Sequence, residues 1–337
     1  MKIFFYPPDA YLRTIHRDRR RLRRHRLYPY LQYLAELERF LRRFETPDPD
    51  AADYFFVPIN LVSFQFPGRK QSFADPWPYI GALPYLGRKP HLLFAGGDFG
   101  QRRRGPFETE VHWRPYPEIY PWLDERFVLL AFESTGDLAP QDIAIFPYVL
   151  RPKSVSGRFR AALAQRWPAK RDLLYSFAGA MRYKELKPDH IRGGRFDALA
   201  IDTEDAFVGT AGAARARFGR FGGTDLSMLR RSVFTLCPAG FGRWSFRFIQ
   251  APVFGSIPVL LADGYEKPLS RHIDWDRFCI TLPEADLEKV PAILRSISDA
   301  EIARLQRAVA VAAPQLSGAA MFGMLTGELE SRLGRRR

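Results

Sequence analysis

Residues 232 to 283 constrain the fold more than any other stretch, because they spell strand, turn, helix and strand in a single run. An apolar, β-prone segment from Val233 to Leu236 ends in Pro238, Gly240 and Gly242 and delivers the backbone to a helix start at Ser245. Serine is a favoured N-cap, since its hydroxyl accepts an N–H that a helix start leaves unpaired. The free amides of such a start bind anions, phosphate above all. Arg247 falls in the first turn, where its guanidinium can add two directed bonds to the same anion. Gly255 ends the helix and Ile257 to Leu261 reads as a second buried strand, giving a βαβ unit.

The same alternation recurs upstream. Short β-rich runs at Ile3–Tyr6, Tyr54–Val57, Leu92–Ala95, Val128–Ala131 and Ile143–Phe146 are separated by helical or polar stretches. Between Pro29 and Phe44, residues Leu31, Leu34, Leu37, Phe40 and Leu41 recur at helical spacing, a stripe that packs on a sheet. A break near Pro152–Pro168 precedes a second alternating half that opens with the strand Leu173–Phe177. Strands separated by helices predict an α/β chain of two doubly wound, Rossmann-like halves facing a central cleft. The expected division is residues 1–160, 168–315, and a tail of 316–337 that returns to the first half; one tail helix, Ile302 to Leu333, is expected despite Pro314. In such sheets ligands bind beyond the carboxyl ends of the strands.

Composition narrows the function classes. The net charge of +14 is uneven: eight arginines and one aspartate lie between Arg13 and Arg26, with further clusters at Arg102–Arg104 and Arg335–Arg337. Such fields draw anionic lipid, nucleic acid or polyanionic substrates, although a solvated helix face carries the same composition. The two cysteines, Cys237 and Cys279, each sit in an apolar run and read as buried free thiols, which fits a reducing compartment. No run reaches the ~18–20 apolar residues that span a bilayer, and Met1 to Pro8 reads as a first strand rather than a signal peptide. There is no zinc-spaced Cys/His cluster, no glycine-rich phosphate loop and no nucleophile-elbow serine.

The second half resembles the exostosin family of sugar-nucleotide-dependent glycosyltransferases. The resemblance lies in Ser232, Phe234, Leu236, Cys237 and Pro238, the pair Ser245 and Arg247, and Gly255, Ile257, Pro258 and Val259. It continues through Asp263, Tyr265 and Pro268 to Ile273, Asp274, Trp275 and Phe278. Weaker echoes occur at Asp53–Pro58, His91–Gly100, Asp142–Pro147 and Phe177–Arg182. The resemblance implies the GT-B architecture and an inverting enzyme. Members usually carry a membrane anchor ahead of the catalytic region, so this sequence leads to the expectation of a cytoplasmic, bacterial-type member, or of a chain trimmed at its start. The arginine-rich stretch Arg13–Arg26 then suggests a peripheral position on the inner face of an anionic membrane.

Glycosyl transfer must stabilise a departing diphosphate and deprotonate an acceptor hydroxyl. Without a metal or cofactor, the first task falls to a helix N-terminus and to basic side chains. Ser245, Arg247 and the amides following Gly242 fit that role, and Arg182 and Lys184, beyond the strand Leu173–Phe177, can join them. Gln250 departs from the family pattern, which has Glu there to meet donor hydroxyls; glutamine accepts a bond without bringing charge. Pro252 adds a kink that the pattern does not require. Asp263 and Tyr265 close the second strand near the nucleotide or sugar. Asp98, in a Gly-Gly-Asp-Phe-Gly turn at the end of a buried strand, is the candidate general base, with an Asx-turn as the structural alternative. His91 opens the same strand at its far end and reads as structural, and Asp274–Trp275–Asp276 reads as packing rather than as a metal motif. The expected partners are a nucleotide sugar and a glycan or lipid-linked acceptor, with no specific nucleic acid. A glycan-binding relative without turnover and, behind it, a basic nucleic-acid binder are the rival readings.

Overall fold

The computed structural model describes residues 1–7, 28–61, 76–97, 120–132, 138–147, 171–177, 226–238 and 245–334. Nine strands among them form two sheets. The first holds β1 (Ile3–Phe5), β2 (Tyr54–Asn60), β3 (His91–Ala95), β4 (Phe127–Ala131) and β5 (Ile143–Ala144), side by side in sequence order. The second holds β6 (Leu173–Ser176), β7 (Ser232–Pro238), β8 (Ile257–Leu261) and β9 (Ile280–Leu282), also in sequence order. Every pairing is parallel, as the alternation of strands and helices predicts. The described helices are α1 (Tyr28–Leu41), α2 (Trp77–Ile80), α3 (Leu226–Arg231), α4 (Phe246–Val253), α5 (Val290–Ser296), α6 (Asp299–Ala312) and α7 (Gly318–Gly334).

Alternate strand residues of the first sheet go to opposite buried faces. Phe55, Val57, Leu93, Ala95 and Leu129 pack with Ile80 and Leu123 on one side. Phe56, Leu92, Phe94, Val128 and Leu130 pack on the other against Leu34, Leu37 and Leu41 of α1. Burial on both faces explains why these strands read as unbroken apolar runs rather than as alternating ones. The second of these clusters continues into β7, β8 and α4, so the two sheets share one core. Phe146, beyond β5, lies edge-on to Trp275 at 6.5 Å, and Leu269 N–H donates to Ala144 O at 3.1 Å.

Two elements differ from expectation. β2 runs past Pro58 to Asn60, and its register with β3 shifts between Phe56 and Asn60, so the proline falls where a regular ladder is already broken. The tail is two helices rather than one: α6 and α7 meet at 75° across a short 3-10 turn that contains Pro314, a residue that cannot continue the ladder. α7 lies against the first sheet, where Tyr54 OH donates to Leu329 O at 2.9 Å. Arg332 donates to the carbonyls of Pro140 (3.2 Å) and Asp142 (2.9 Å), and to that of Gln141. Among the described residues, no single helix is long and apolar enough to cross a membrane.

Cys237 and Cys279 are buried free thiols. They lie either side of β8, about 10 Å apart at the usual strand spacing, too far to be bridged. Burial pushes Cys279 up to about 11 and Cys237 well above the ordinary thiol value. His91 has no solvent exposure, shares a 2.8 Å hydrogen bond with Tyr6 OH and lies parallel to that ring, the structural role its position predicts.

Candidate active site

The site is built where the chain leaves β7. After Pro238 the next described residue is Ser245, extended at φ −138°, ψ 133°, and it caps α4 by accepting the Arg247 N–H at 3.2 Å. Because α4 follows β7 and precedes β8 in a parallel sheet, its N-terminus opens at the carboxyl edge of that sheet, where α/β ligand sites lie. Phe248, Ile249, Ala251 and Pro252 turn inward to the core. Arg247 and Gln250, three residues apart, share the less buried side, and Arg247 Nη1 donates to Gln250 Oε1 at 2.9 Å. Burial lowers the guanidinium's affinity for its proton, with the Cys237 sulfur acting the other way. A partly desolvated cation beside the amides of a helix start holds an anion more strongly than one in open water.

The helix is cut off sharply. Gly255 N–H donates to Pro252 O and Ser256 N–H to Ala251 O, both at 2.9 Å, the paired bonds of a Schellman ending, with Gly255 at φ +81°. Pro252 sits one residue from the last helical position, so the missing N–H falls where the helix is about to stop. Beneath α4, Phe248 stacks on Trp275 (4.6 Å, 26°), and Trp275 Nε1 donates to Pro268 O at 2.8 Å. Trp275 is thus core, and Asp276 pairs with Lys267, which agrees with reading Asp274–Trp275–Asp276 as packing.

Tyr265 packs edge-on to Phe248, one of the inward-facing residues of α4, at 6.4 Å. Asp263, just past β8 at the same carboxyl edge of the second sheet, pairs with Glu284. Its carboxylate accepts Glu284 N–H at 3.0 Å while its own N–H donates to Glu284 Oε1 at 3.3 Å, a reciprocal clasp just beyond β8 and β9. Asp98, Arg182, Lys184 and Gly242 lie outside the described residues. Among the described residues, no group of three or more His, Cys, Asp or Glu is arranged to hold a metal ion.

The structure adds aromatic neighbours that pattern reading passes over. Tyr33 of α1 lies parallel to Phe246, the first residue of α4, at 6.4 Å, and edge-on at 5.3 Å to Phe132, just past β4. Phe132 in turn meets Phe94 of β3 edge-on at 5.3 Å. The carboxyl edge of the first sheet is therefore in ring contact with the start of α4. Each of these rings reads in sequence as one more apolar residue among many. Asn60 alone carried a signal, as a lone amide ending an apolar strand.

Comparison with known proteins bears on this arrangement. Residues 1–297 match the Exostosin GT47 domain. A probable glucuronosyltransferase of Oryza sativa subsp. japonica is 40% identical over 312 residues, covering 87% of this chain and 68% of the relative. Two probable glucuronoxylan glucuronosyltransferases of Arabidopsis thaliana are each 28% identical over 78% of this chain. The chain spans 56% and 59% of their respective lengths. These are plant proteins and lend no support to the expectation of a bacterial-type member. Among solved structures, the GtfA/B complex (TM-score 0.40, 12% identity, 82% of this chain and 57% of that one) shows a likeness too slight to carry an argument. The family match covers residues 1–297, and the rice relative is 40% identical over 87% of this chain, so the chain belongs to the exostosin GT47 family.

Proposed function

We propose that this chain is a glycosyltransferase that moves a sugar from a nucleotide-sugar donor to a glycan acceptor in polysaccharide biosynthesis. The observation that carries the reading is the start of α4, where the Ser245 cap, the first-turn amides and the partly buried Arg247 stand together at the carboxyl edge of the second sheet. In this reading the donor's diphosphate sits at the α4 amides with Arg247 as clamp, joined by Arg182 and Lys184. Charge building on the leaving diphosphate is thereby neutralised as the glycosidic bond breaks, and no metal is required. Asp98 takes the proton of the acceptor hydroxyl, which attacks the anomeric carbon from the opposite side and inverts it. Gln250 holds the Arg247 guanidinium with a neutral amide, so the pair keeps a full positive charge toward the donor. A hexuronate donor is the first to try, because the relatives carry glucuronosyltransferase names. The Arg13–Arg26 stretch supports an acceptor held at an anionic membrane surface, with the enzyme peripheral on a cytoplasmic face.

A panel of nucleotide sugars, read by thermal shift and by donor turnover, tests the reading. One donor is expected to stabilise and be consumed, and Arg247→Ala is expected to cut that turnover by about 100-fold or more, as loss of a preorganised charge partner does. Turnover that survives Arg247→Ala overturns the donor-site assignment.

A further inference from the structure

β2 is buried along its whole length, and it ends in an amide, Asn60, that is 2% exposed. Burying an amide without a partner costs on the order of 1–3 kcal/mol, so its bonds are informative. Asn60 Oδ1 accepts the N–H of Gly96, the first residue past β3, at 3.1 Å. The register explains why a side chain does this. Phe56 pairs with Leu92 and Asn60 with Phe94, so four residues of β2 advance against two of β3. The surplus contains Pro58, which has no N–H, and beyond it the Asn60 side chain supplies the acceptor for Gly96. The fit around Gly96 is closed: a Cβ there would stand 2.6 Å from Phe94 Cζ and 3.3 Å from Asn60 Nδ2. Phe94 is the same ring that leads through Phe132 and Tyr33 to Phe246 at the head of α4.

We propose that Asn60 is a positioning residue for the acceptor side of the reaction. By holding the Gly96 N–H it fixes where Gly96 leaves the carboxyl end of β3, two residues ahead of Asp98 in the sequence, and the ring contacts reference that point to the donor helix. The inference rests on the transferase reading above and extends it to a residue with no contact to the donor.

The test uses Asn60→Leu, which matches the size but removes the acceptor oxygen, and Asn60→Asp, which retains one. Donor binding is read by thermal shift with UDP-glucuronate, donor cleavage in water alone, and transfer to xylo-oligosaccharides. Asn60→Leu is expected to lower transfer 10- to 100-fold while leaving the donor-induced shift and the donor KM within twofold of wild type. Asn60→Asp is expected to recover transfer at least in part. Should Asn60→Leu fail to fold, the split between acceptor and donor KM in Asn60→Asp decides, with only the former expected to change. Unchanged transfer, or equal losses in donor and acceptor steps, overturns the role of Asn60. A wild type that binds and consumes no donor of the panel overturns the transferase reading itself, and the inference with it.

Discussion

His91 shows how a single residue can make stability depend on pH without touching the chemistry. Burial pushes it down to about 4, opposed by a backbone hydrogen bond at Lys89 and reinforced by the Arg126 charge. The unfolded chain binds its proton near pH 6.5, so the folded state favours the neutral ring. The contribution is therefore complete above pH 6.5, falls as pH drops from 6.5 to about 4, and falls no further below that. A gap of this size corresponds to about 3 kcal/mol, and the full burial of the ring leaves little solvent screening to reduce it. Urea unfolding at pH 7 and pH 4 is expected to show the wild type losing about 3 kcal/mol more than His91→Phe between the two, carboxylate effects being common to both. At pH 7 the variant gives up about 1 kcal/mol for the Tyr6 bond. Equal pH slopes refute the assignment. At this scale the position of His91 at the amino end of β3, away from the ligand edge, was legible in its place at the head of an apolar run. The occupation of Asp263 by Glu284 was not, because two residues 21 apart meet only when β8 and β9 pair.

Among the elements, α4 has both ends written into the sequence. Ser245 and Gly255 supply the cap and the left-handed stop, and both fall where propensity places them. Gly255→Ala is expected to cost about 2–3 kcal/mol. About 1–2 kcal/mol comes from a side chain at φ +81°, and the rest from a Cβ only 2.5 Å from Arg171 Nη2. That guanidinium cannot simply swing away, since its Nη1 is held on Ser232 O. Gly323→Ala in the middle of α7, where nothing lies within 4 Å of the added carbon, is the control and is expected to gain up to about 1 kcal/mol. Denaturant midpoints for the two variants compare them directly, and a neutral Gly255→Ala would show that the Schellman ending does not hold α4. The strands were legible in position but not in length. β2 extends past Pro58 because a bulge relieves the missing donor, a tertiary solution that periodicity alone does not reveal. The tail was legible as helix, but its 75° break needed the core against which Leu316, Met321 and Leu325 are buried.

For the whole molecule, α7 ties the parts together. Glu328 is buried on its inner side, with His272 Nε2 at 3.2 Å, Arg271 at 3.6 Å and Arg332 at 3.7 Å. Arg332, one turn on, forks onto the carbonyls of residues 140 to 142 ahead of β5. Arg271 and His272 belong to the segment between β8 and β9, so one helix turn fastens the second sheet's connections to the first sheet. Arg332→Ala is expected to cost about 2–3 kcal/mol, the loss of bonds from one charged group to three backbone carbonyls, two of them part-buried. Differential scanning calorimetry should show Tm lower by roughly 3–4 °C, with Arg332→Lys intermediate because an ammonium cannot reproduce the fork. An unchanged Tm would mean that α7 is not a fastening. The sequence by itself determined the strand and helix types, the capped helix with its arginine, and the family, because these rest on local periodicity, turn chemistry and short motifs. The tertiary structure alone decided the shared core of the two sheets, the Asn60–Gly96 bond, the ring contacts from Phe94 to Phe246 and the clasp of α7. Each of these joins residues far apart in the chain, and no local propensity encodes which distant partner a buried polar group or ring will find once the sheets close.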